Sequence, residues 1–175
     1  MNRTIMGAIL VVGGSVGYMA GGLIFGPPSR DQRIATLFEE VCVRQAFGEA
    51  RTEPPYQKVV PVRSFDNTRL WVDPVSASFL EIPDAKCDLK THDPNALSRV
   101  DAEKLAARIE PIVLDSFPDL AFDPSVTLGD GTISRGWMRG EAMSPERRGV
   151  VFFAYPEMED GAGSSLTLFY PDPPG

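Results

Sequence analysis

One histidine, two cysteines and a knot of arginines are the residues through which this chain would do chemistry. His92 stands in "KTHDPN", and any Ser-His-Asp or Cys-His arrangement would have to use it. No Gly-x-Ser-x-Gly elbow supplies a serine, and no Gly-x-x-x-x-Gly-Lys run cradles a phosphate. The stretch is polar and turn-forming, so His92 reads as an exposed histidine beside an Asp-Pro turn. Cys42, Cys87, His92 and Asp93 would make a ligand set for a metal, but zinc sites show close pairs such as Cys-x-x-Cys, which are missing here. Asp130, Glu157, Glu159 and Asp160 read as residues that cap or solvate turns, and "EMEDGAG" lacks the spaced ligands of a calcium loop. No catalytic residue, metal or cofactor is expected.

Arg135, Arg139, Arg147 and Arg148 surround Trp137 in a protein of net charge −7. On a regular strand Arg135, Trp137 and Arg139 share one face, because their separations are even. Two readings follow. The group would hold an anionic ligand or an acidic partner segment, or it is a solvated sheet edge whose arginines pair with neighbouring acids and discourage aggregation.

The compartment matters more than any single residue. After position 28 the chain holds 16 basic against 24 acidic residues, so nucleic acid and anionic headgroups are repelled at long range. From Thr4 to Phe25 there are 22 uncharged residues, which as a helix would span about 33 Å, the thickness of a bilayer core. Seven of the 16 glycines precede Pro27-Pro28, which would stop a helix there. The segment reads as an uncleaved signal anchor, giving a single-pass inner-membrane protein with a periplasmic C-terminal domain. The alternative is cleavage near Gly17 or Gly22 and release as a periplasmic or secreted protein. Gly13, Gly17 and Gly21 recur every four residues, a spacing that would let a second membrane helix approach closely.

Export would place Cys42 and Cys87 in an oxidising compartment, and the only pair they can form closes a 45-residue separation. In the loop-entropy account that link contributes about 4 kcal/mol.

The elements that must position these residues can be read from spacing. With 43% hydrophobic and 23% charged residues the chain is globular beyond its leader, and its length suits one domain. Ser29 and Gln32 fit a capping box ahead of a helix to about Phe47, with Ile34, Leu37, Phe38, Val41 and Cys42 on one face. Residues 57–64, 68–73 and 77–82 predict strands. A second helix starts at Ser98 or Asp101 and ends near Phe117-Pro118, with Pro111 predicting a kink or restart. The remainder predicts a strand meander around a Gly129-Asp130-Gly131 turn and in "GVVFFAYPEM" and "SSLTLFYPDP". The expected organisation is a leader at 1–28, an α+β domain at 29–170 with two helices on one face of an antiparallel sheet, and a proline-rich tail at 171–175.

The helix carrying "LFEEVCV", the tryptophan in "RLWVD", the cysteine in "DAKCDL" and the β-rich end resemble small uncharacterised exported proteins of proteobacteria. The resemblance implies an exported domain with Cys42 paired to Cys87. It brings no established activity, and it does not cover the leader. The functional expectation is a membrane-tethered periplasmic accessory or interaction domain meeting the lipid bilayer and another envelope protein. The alternative is an exported enzyme using carboxylate or thiol chemistry.

Overall fold

The computed structural model describes residues 27–48, 59–62, 68–83, 85–144, 146–156 and 161–170. The glycines at 13, 17 and 21, the leader and the tail lie outside the described residues. Among the described residues no helix is long and apolar enough to cross a membrane.

The first helix, α1 (Arg30–Leu37), begins after Ser29, whose backbone N–H donates to Gln32 Oε1 at 3.0 Å. It runs without a break into a π-helical segment, Phe38–Val43, and a final turn, α2 (Arg44–Ala46). The wider turn brings Phe38, Cys42 and Val43 to the core together. The long helix α3 (Arg99–Ser116) is capped by Ser98, which accepts from the Asp101 N–H. Pro111 sits inside α3, and the helix continues through it as one element with no restart. Ala102, Leu105, Ala106, Ile109 and Val113 form its buried stripe.

The strands are β1 (Val60–Val62), β2 (Arg69–Asp73), β3 (Ser78–Ile82), β4 (Lys86–His92), β5 (Ala121–Phe122), β6 (Ile133–Arg139), β7 (Arg148–Tyr155) and β8 (Gly163–Phe169). They form one antiparallel sheet in the order β1-β2-β3-β4-β8-β7-β6-β5. Two four-strand meanders, the second reached through α3, therefore meet at β4 and β8 in its middle. Leu80, Leu89, Leu166 and Phe152 point from the central strands into the core with the helices. The α+β organisation with two helical segments on an antiparallel sheet is thus observed.

Three local expectations change. Residues 86–92 form a central strand that was not anticipated, and exposed His92 ends it directly before the Asp93-Pro94 turn. Residues 126–128 are not a strand. Val126 instead folds over Gly136 of β6, where an added Cβ would overlap the valine side chain. The two-residue strand β5 was not anticipated; it pairs Ala121 with Met138 and Phe122 with Trp137.

Gly149 is fixed by a close approach of β7 to β6. Its φ is +148°, and a Cβ there would overlap the Trp137 carbonyl oxygen. Gly149→Ala is expected to cost about 2–4 kcal/mol from backbone strain and overpacking, read as a lower urea midpoint at unchanged m-value.

Candidate functional site

The two cysteines meet between the π-helical segment and the middle of the sheet. Cys42 and Cys87 form a disulfide with a Cα–Cα distance of 5.4 Å, and both are fully buried. The metal alternative fails for these atoms, since a disulfide sulfur is no thiolate ligand. Cys87 and His92 also lie on opposite faces of β4, five residues apart, and His92 is exposed.

The same helix is held at its start by arginines. Arg33 donates from Nε and Nη2 to the Asp73 carboxylate, the shortest contact being 2.8 Å. Asp73 is fully buried at the end of β2, and its Oδ2 also accepts from the Ser76 N–H at 2.8 Å and Ser76 Oγ at 2.6 Å. Arg30 donates to the carbonyls of Ser76, Ala96 and Asn95. Asp31, also buried, accepts from Arg108 Nε of α3 at 2.6 Å. The first turn of α1 is thereby clamped both to the β2–β3 turn and to α3.

Burial opposes ionisation of Asp73, but the Arg33 and Ser76 hydrogen bonds outweigh it and hold the carboxyl below the usual aspartate range. Asp31 follows the same pattern, with burial outweighed by hydrogen bonds from Ser29 and Arg108. A lowered folded pKa means that the unfolded chain takes up protons first on acidification. Stability from both groups is thus complete above the ordinary aspartate pKa of about 4 and drains as pH falls below it toward and through the lowered folded pKa. Urea midpoints are expected to hold steady from neutral pH down to that region and then drop, and Asp73→Asn should flatten the drop.

The arginine group is dispersed. Trp137 is 1% exposed and belongs to the core. Arg135 is exposed and donates to the Ser134 carbonyl. Arg139 pairs with Asp119 at 2.6 Å, and Arg147 pairs with Asp123. Arg148 lies opposite Arg139 in the β6–β7 register. Two of the four arginines are therefore spent on neighbouring acids, and the set does not converge on one anion.

A different polar group stands on the helix-free side of the sheet, at its centre. Asp88 is 1% exposed there, between Lys86 Nζ at 2.9 Å and Lys90 Nζ at 3.7 Å, and Lys90 also pairs with Glu81 of β3. No directed hydrogen bond reaches Asp88 Oδ2 among the described residues, so its compensation is Coulombic. Burial lowers the Lys90 pKa, yet Glu81 and Asp88 together raise it above the ordinary lysine value. The signal for this group was present in "KCDLKTH", where Lys86, Asp88 and Lys90 are two residues apart and share a face. Expecting no strand over residues 86–92 hid that alternation.

Around this group the helix-free side is apolar toward β1. Val60 is 53% exposed, Val62 41% and Phe79 36%, with Leu70 and Val72 half-buried beside them. Phe169 adds a further exposed ring on β8. Among the described residues no group of three or more histidine, cysteine or carboxylate side chains is placed to hold a metal ion. Comparison with protein-family models, with curated proteins and with solved structures finds no match.

Proposed function

We propose that this protein is a membrane-tethered periplasmic interaction domain that meets another envelope protein through the helix-free side of its sheet. The observation that carries the reading is the one-sided packing of the sheet. Both helical segments cover one face, while the other leaves Val60, Val62, Phe79 and Phe169 exposed around a paired charge cluster. Apolar surface rimmed by polar residues is a common signature of a protein contact. Strand addition is a poorer route, because β1 carries Pro61 at its centre and β5 has only two residues. The tether rests on the 22 uncharged residues from Thr4 to Phe25, and the oxidising compartment on the buried disulfide.

Photo-crosslinking side chains introduced at Phe79 and Phe169 of the full-length protein in cells test the contact, with Leu114 on α3 as the control position. Adducts of one size at 79 and 169, lost when residues 1–28 are replaced by a cleavable signal peptide, are the expected result. The same adducts at 114, or none at 79 and 169, would overturn the proposal.

A further inference from the structure

Beyond this surface, a small pocket opens at the end of the sheet where β7 begins and β8 ends. Its volume is about 130 Å³, and Phe117, Leu120, Leu168 and Tyr170 supply its apolar wall. Two charged residues line it, Arg148 and Asp119. They are not equivalent. Asp119 is already engaged: the hydrogen bond from Arg139, helped by the more distant charge of Arg148, keeps its carboxyl below the usual range. Arg148 is half-buried, and among the described residues no hydrogen bond or salt bridge holds its guanidinium.

A guanidinium withdrawn partly from water, and in no salt bridge among the described residues, sits beside an apolar hollow. The ligand that matches both parts has one apolar ring or branched group joined to a carboxylate. At about 130 Å³ the hollow is slightly smaller than the roughly 150 Å³ cavity that accommodates benzene, so its size suits at most one small ring or branched group, with the carboxylate toward Arg148. The guanidinium offers the planar fork that binds a carboxylate with two parallel hydrogen bonds.

We propose that this pocket binds a monocarboxylate bearing one small apolar group. The same chemistry is presented by a free aryl or branched-chain acid and by the terminal residue of a peptide chain. Isothermal titration of the full-length, disulfide-bonded chain separates these, using 3-phenylpropionate, N-acetylphenylalanine and the uncharged 3-phenylpropanol. Both acids should bind saturably at one site, and the alcohol about tenfold more weakly, the scale of one charge-assisted contact. Arg148→Gln should weaken the acids about tenfold and leave the alcohol unchanged. Ala46→Phe, which fills the hollow from the helix side, should abolish binding of all three. Should Arg148→Gln lose the thermal midpoint of the parent, Arg148→Lys carries the test, since it keeps the charge and removes the fork. A preference above tenfold for N-acetylphenylalanine assigns the source to a chain terminus, and otherwise to a free acid. Equal affinity for acid and alcohol, an Arg148 variant with undiminished acid binding, or no saturable binding would overturn the proposal.

Discussion

Replacing Cys42 and Cys87 together by alanine is expected to lower stability by about 4 kcal/mol, the loop-entropy value for a 45-residue closure. In a domain of roughly 150 residues that corresponds to a fall in thermal midpoint of about 8–16 °C. The effect should be on the scale of a large core truncation, about 2–5 kcal/mol. One end lies in the π-helical segment and the other on a central strand, so losing the link frees the helix from the sheet it covers. Reduction of the native protein should reproduce the shift. Because both sulfurs are fully buried, it should require partial unfolding first. Differential scanning calorimetry of parent, reduced parent and double variant checks this. Equal midpoints would show that the helix is held without the bond.

Asp73→Ala is expected to cost about 3–5 kcal/mol, the range seen when one partner of a buried ion pair is removed. The carboxylate satisfies Arg33, the Ser76 N–H and Ser76 Oγ at once, and the Ser76 hydroxyl lies 2.8 Å from that of buried Ser78. Removing it leaves a half-buried guanidinium and a turn N–H without their acceptor. Arg33→Ala alone should cost less, since Asp73 keeps its two serine donors. The double variant should cost less than the sum of the singles, because the two residues share one interaction. Chemical denaturation of the four proteins in the cycle measures the coupling, and strict additivity would contradict it.

Legibility in the sequence followed the range of the interactions. The two helices were visible because their apolar residues recur at helical spacing and their starts carry Ser29 and Ser98. The disulfide needed no geometry, since a chain with two cysteines has only one way to pair them. The clamp around Asp73 was not visible: Arg30 and Arg33 look like charges flanking a membrane segment, and their partners lie about 40 to 66 residues away. Trp137 and its arginines share a strand face as expected, but the face is the covered one, and alternation alone cannot say which side a helix will choose. At Pro111 the restart alternative is lost for a related reason. Packing of Ile109 and Val113 against the core keeps α3 continuous through a residue that would end an isolated helix.

Arg148 is legible only from the fold. In the sequence it is the last of four clustered arginines, whereas in three dimensions it makes no salt bridge among the described residues and, unlike exposed Arg135, is half-buried beside a hollow built from α3's end and β8. Its sequence neighbour Arg147 pairs with Asp123, which sits 24 residues earlier. Charge clusters in sequence thus resolve into separate pairings, and what remains unpaired is the part available for a ligand.

In the proposed arrangement a tethered chain folds outside the cytoplasm with its two cysteines joined. Intact mass of the native protein, extracted from membranes under thiol-blocking conditions, tests both parts together. The expected species retains residues 1–28, is lighter than the reduced chain by two hydrogens, and carries no alkyl group at Cys42 or Cys87. A mass showing two alkylated thiols, or a chain beginning after Gly17 or Gly22, would contradict the account.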